Sequence, residues 1–248
     1  MKGVSIEETA SGLSDEKIEA YHQFIRNRWT PLGAKTIEFV ESVSRERRTE
    51  GHALILGTSK DVYLVYRGTS YVSQFVRSLR QVDIDYVIAG KKVKLWETAA
   101  VSFDEIYNQV ENSVKKSLKR TNSPSNARLW IIGHSLGGSH ATMAAIKLTE
   151  RNPDIKIGGV YTFGSNMNGF ERAPGETCWT RLYDEKFGHI TYRWVNDLDV
   201  APFFAGQSGR SSSLGTCPPL PSSYVPNSRQ ELWGIFRSRN PKLSTFSR

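Results

Sequence analysis

Ser135 stands at the centre of the run Gly133-His134-Ser135-Leu136-Gly137-Gly138, a G-x-S-x-G pattern that follows the apolar Trp130-Ile131-Ile132 and precedes the Ala-rich segment 139–149. A serine hydroxyl is a weak nucleophile until it is forced into the open beside a base and near N–H donors that can hold an oxyanion. A sharp strand-to-helix turn exposes it, and flanking glycines let neighbouring backbone approach without a Cβ clash. The chemistry implied is acyl transfer through Ser135, with Gly133, His134 and Gly137 building the elbow. Such chemistry needs an oxyanion hole. Tyr66-Arg67-Gly68-Thr69-Ser70 directly follows a strand-like run, so Thr69 is one candidate donor, through its N–H and hydroxyl; the N–H of Leu136, directly after the nucleophile, is the second.

A serine hydrolase also needs an imidazole between nucleophile and acid. The chain has five histidines: His22, His52, His134, His140 and His189. His134 adjoins Ser135 within the turn, and His140, five residues on, points away along the helix. His189 precedes the strand whose far end carries Asp199, so at about 3.3 Å per residue it lies roughly 20–30 Å from that residue, while His22 and His52 come before the elbow altogether. None is a convincing base. Beside the oxyanion segment, Val72, Phe75, Val76 and Leu79 recur at i, i+3, i+4 and i+7 in Tyr71–Arg80. That helix either covers core or acts as a lid closing over the site and lining a substrate groove.

These residues need a scaffold. Asp15–Asn27 has the spacing of an amphipathic helix, and a second helix is expected over Thr36–Val43. Ala53–Gly57 and Asp61–Tyr66 read as adjacent strands, and Ala99–Leu118 as one long helix with Phe103, Ile106, Tyr107, Val110 and Val114 inward. Then come the strand 128–132, the helix 139–149, and strands 157–163 and 190–195. Strands joined by long crossovers predict a mainly parallel α/β sheet with flanking helices. Over 248 residues this is expected to be a single domain, with N-terminal helices in 1–50, the core with the elbow in 51–205, and a surface loop and last strand in 206–248.

Composition narrows the function further. The net charge is +8, with basic clusters at 45–48, 91–94 and 115–120, but no aromatic interleaving or nucleic-acid motif accompanies them. Nucleic acid is therefore not an expected partner; peripheral contact with an anionic lipid surface is compatible with the charge. No window is apolar enough for a transmembrane helix and Met1–Ala20 lacks a secretory apolar stretch, so an intracellular location is expected. Two cysteines, Cys178 and Cys217, are expected as reduced thiols, or as a single bridge if the protein is secreted, and no cluster has metal-ligand spacing.

In order, VYRGT (65–69), GHSLGG (133–138), YTFGS (161–165) and VNDLDVAP (195–202) resemble the class 3, fungal-type lipase family of α/β-hydrolases, over about residues 50–235. The resemblance implies an α/β-hydrolase fold with a helical lid. It implies Ser135 as nucleophile, Thr69 in the oxyanion hole and Asp199, before Val-Ala-Pro, as the triad acid, with Asp197 its rival. It also implies a carboxylic ester hydrolase acting on acylglycerols or related lipid esters through an acyl-serine intermediate, with no metal or organic cofactor. One departure is Val93-Lys94-Leu95-Trp96, where the family often has Val-His-x-Gly. The other is the base: the fold's chain order is Ser, Asp, His, and no histidine follows Asp199. Arg229–Trp233 resembles the strand that precedes the family's His-bearing loop, so two expectations stand. Either the natural polypeptide continues past Arg248, or this is a catalytically inactive scaffold that binds lipid or protein.

Overall fold

Runs of β-branched and aromatic residues build sheets whose faces must then be covered. A computed structural model describes residues 15–44, 49–69, 82–166, 168–169 and 177–195. Val72, Phe75, Val76, Leu79, Asp197, Asp199 and the segment 205–248 lie outside the described residues. The elements are α1 (Asp15–Trp29), β1 (Thr36–Ser44), β2 (Thr49–Gly57), β3 (Val62–Tyr66), β4 (Asp83–Ile88), β5 (Lys91–Trp96), α2 (Glu97–Lys119), β6 (Arg128–His134), α3 (Leu136–Arg151), β7 (Lys156–Phe163), α4 (Trp179–Phe187) and β8 (Thr191–Trp194).

Among the described residues the main sheet has six strands in the order β1-β2-β3-β6-β7-β8. β1, β2 and β3 pair antiparallel, whereas β3, β6, β7 and β8 are parallel, each reached through a helical crossover. This is the mainly parallel α/β architecture expected. One face packs on the helices: Ile55, Leu64, Leu129, Ile131 and Val160 are buried with Phe103, Ile106, Val110 and Val114 of α2 and Met143 and Ile146 of α3. Fully burying one such side chain contributes about 1.5–3 kcal/mol, so this layer anchors the fold.

The segment Thr36–Val43, expected as a helix, is instead the edge strand β1. Its alternate residues meet different neighbours. Glu38 pairs with Lys116 of α2 at 3.0 Å, whereas the Phe39 ring stacks on His22 of α1 at 3.8 Å. A segment covered on two faces is served by a period of two rather than 3.6.

Between β3 and α2 the chain also forms the β4–β5 hairpin, which the sequence did not signal. Its turn is Ala89-Gly90 with both φ values positive (52° and 65°), the conformation usually signalled by Asn-Gly. The Ala89 N–H donates to Glu150 of α3 at 2.8 Å, tying the turn down from outside. Cys178, just before α4, is disulfide-bonded rather than a reduced thiol; cysteine spacing alone does not reveal pairing. No helix among the described residues is long and apolar enough to cross a membrane.

Candidate active site

The elbow is built where β6 meets α3. Ser135 sits between them at φ 53°, ψ −125°, a backbone region that costs a residue with a Cβ about 1–3 kcal/mol and persists only when its surroundings enforce it. They do so from both sides. The Ser135 N–H donates to the Phe163 carbonyl of β7 at 2.9 Å, and the Ser135 carbonyl accepts from the Gly138 N–H at 2.9 Å. The glycines are needed for contact: a Cβ on Gly133 would run into the Gly137 carbonyl, and one on Gly137 into the carbonyl of Tyr66 at the end of β3. Ser135 is half-buried and Leu136, which opens α3, is buried. The first N–H groups of a helix have no partner within it and carry its positive dipole end, so the Leu136 N–H is available to an anionic oxygen.

The segment Arg67–Thr69 arrives beside this turn because β3 and β6 are parallel neighbours, with Tyr66 in register with Gly133. Gly68 rests on the elbow itself. A Cβ there would come 2.8 Å from the His134 carbonyl and 3.0 Å from the Ser135 Cβ. Thr69 follows, half-exposed, at the edge of the described residues. The fold thus brings together Ser135, Leu136, Gly133, Gly137 and Gly68, while Asp199, Val72, Phe75, Val76 and Leu79 lie outside the described residues.

All five histidines are described, and among the described residues none is hydrogen-bonded to the Ser135 hydroxyl. His140 is buried with its Nε2 2.8 Å from Ser102 Oγ and its ring edge-on to Tyr66. Burial drives its pKa down to about 3, so it is a neutral core residue. His189 lies before β8, at the end of the parallel sheet away from the elbow. His22 and His52 flank Glu41, and His134 is exposed within the elbow strand.

One supporting group escaped the sequence reading. Asn168, buried after β7, donates its amide to the Ser139 carbonyl (2.9 Å) and to Thr142 Oγ1 (2.6 Å), bracing the first turn of α3. Arg193 of β8 donates to the Ser165 carbonyl at 2.8 Å, fixing the same loop, and burial lowers its pKa. A lone Asn in a loop carries no such signal in the sequence.

A model of the class 3 lipases matches residues 63–209, more than half of the chain and the whole elbow region. The chain belongs to the class 3 lipase family. A lipase of Rhizopus niveus is 27% identical over 184 residues, which cover 73% of this chain and 43% of that protein. This family member therefore spans less than half the length of the curated relatives it matches. In fold it is similar to Rhizomucor miehei triacylglyceride lipase, with a TM-score of 0.53 at 20% identity over 77% of this chain and 76% of that one. A triacylglycerol lipase whose catalytic centre is a serine-protease triad matches equally, with a TM-score of 0.53 at 19% identity over 77% and 76% of the two chains. These likenesses establish the α/β-hydrolase fold.

Proposed function

We propose that this class 3 lipase family member hydrolyses carboxylic esters of lipids, acylglycerols or their relatives, through an acyl-Ser135 intermediate. The observation that carries this reading is the strained Ser135 backbone, held between Phe163 and Gly138 with the Gly68 loop packed against it. Ser135 Oγ attacks the ester carbonyl, and the charge that forms on the carbonyl oxygen is met by N–H groups of Thr69 and Leu136. The alcohol leaves with a proton, and water then hydrolyses the acyl-serine. Asp199 is the acid that orients the imidazole, and Val72, Phe75, Val76 and Leu79 form the apolar inner side of a lid over the acyl chain. No metal or organic cofactor enters this scheme.

The imidazole is the element the five histidines do not supply at Ser135, and that observation favours a second reading. In it the chain is a lipase-like scaffold that binds lipid or a partner protein without turnover. A fluorophosphonate probe separates the two. Labelling of the folded protein that disappears in Ser135→Ala supports the hydrolase, and the absence of Ser135-dependent labelling supports the scaffold. Release of p-nitrophenol from short- and long-chain esters then reports substrate class.

A further inference from the structure

Beyond the elbow, α1, β1 and β2 assemble a group of titratable side chains that the scheme above leaves unused. Glu41 of β1 and His52 of β2 are cross-strand neighbours. Glu41 Oε1 lies 3.7 Å from His52 Nδ1 and 3.8 Å from His22 Nε2 of α1, so one carboxylate oxygen is shared by two imidazoles. Both rings are largely buried, and His22 is held flat against Phe39 at 3.8 Å and 17°. The β2–β3 ladder ends at Ala53 and Tyr66, but one further hydrogen bond continues it: the Arg67 N–H donates to the His52 carbonyl at 3.2 Å. The next residue is Gly68, which packs on His134 and Ser135.

We infer that Glu41 is a positioning residue for the Arg67–Thr69 loop, clamping His52 and, through its carbonyl, the Arg67 amide that sets how closely Gly68 sits on the elbow. The inference rests on the reading of Ser135 as nucleophile and of this loop as the oxyanion segment. The electrostatics agree with the geometry. The His52 imidazole, 3.7 Å away, holds the Glu41 carboxyl below its ordinary range, and the charges of His22 and Arg67 act in the same direction against its burial. The charged and titratable groups facing the cluster are Glu19, His22 and Arg26 on α1, His52 on β2, Arg67 after β3 and, within electrostatic range of His52, the neutral His140 of α3. Removing the carboxylate takes away the negative charge that sits between the two imidazoles and beside Arg67.

Glu41→Gln in the full protein tests this with two measurements. Amide exchange at Arg67 is expected to rise about ten-fold while that of α3 is unchanged, because the opening is local. Ester turnover is expected to fall about ten-fold in kcat with KM within about two-fold, the pattern of a lost transition-state contact. A folded Glu41→Gln protein with wild-type Arg67 exchange, or with kcat and KM both unchanged, overturns the inference, whatever its melting temperature. Should that variant not fold, Glu41→Asp keeps the charge, withdraws it by one methylene and is judged by the same two readouts with smaller effects. A wild type without Ser135-dependent labelling removes the hydrolase reading separately, and Arg67 exchange then decides alone whether Glu41 holds the loop.

Discussion

Replacing Ser135 by glycine is expected to stabilise the protein while deleting the proposed nucleophile. Ser135 is held at φ 53°, ψ −125°, and Ala89 is the one other non-glycine residue among the described residues with positive φ. A Cβ in such a region costs about 1–3 kcal/mol. Glycine removes that cost but loses about 0.5–1 kcal/mol more conformational entropy on folding. The net gain is about 0.5–2 kcal/mol. No side-chain hydrogen bond is forfeited, since the Ser135 side chain does not cap α3. For a chain of this size each kcal/mol moves the melting temperature by about 2–4 °C, so a rise of roughly 1–8 °C is expected. Ser135→Ala is the control: it keeps the Cβ and the strain, and its melting temperature should stay within about 1 °C of wild type. Differential scanning calorimetry on the three proteins, with fluorophosphonate labelling in parallel, makes the comparison. If Ser135→Gly melts at or below Ser135→Ala, the elbow is not strained and the main support for a nucleophile at this position is gone.

Gly137→Ala drives a Cβ into the carbonyls of Tyr66 and Arg67; forcing α3 away from β3 should cost about 3 kcal/mol or more, seen as a large fall in denaturant midpoint. His140 is neutral in the fold because burial lowers its pKa from 6.5 to about 3. The unfolded chain therefore binds its proton first, and stability should be intact above about pH 6.5 and fall by up to about 1.4 kcal/mol per unit as pH drops toward 3. Melting curves of wild type and His140→Gln between pH 7 and 4 should converge as pH falls; parallel curves would show that His140 is not the group responsible. Asn168→Ala leaves the Ser139 carbonyl without its side-chain donor and should cost about 1–3 kcal/mol by chemical denaturation. Ala89→Asn places a residue tolerant of positive φ in the β4–β5 turn and should add a few tenths to about 1 kcal/mol, with labelling at Ser135 unaffected.

Local features were readable from sequence where one physical cause dominated. The G-x-S-x-G turn is legible because its glycines are demanded by backbone contact within a few residues, and α2 because its apolar residues recur at one period along 23 residues. Thr36–Val43 was misread because Ile37, Phe39, Val40 and Val43 satisfy both periods. What decides between them is cover, α2 against Glu38 and α1 against Phe39, and neither helix is local. The β4–β5 hairpin was missed because Ala-Gly is a poor turn signal; its N–H is held by Glu150, far along the chain.

The sequence by itself determined the fold class, the family and the Ser135 elbow, because short-range sterics and hydrophobic period are written in adjacent residues. Only the tertiary structure decided which groups meet that serine. Parallel pairing of β3 with β6 delivers Gly68 to it, and the same sheet direction carries His189 to the opposite end. Burial turned His140 into a neutral core residue, and the β1–β2 register paired His52 with Glu41. Those outcomes depend on strand order and on which face of the sheet a side chain enters, and both are set by packing between segments tens of residues apart.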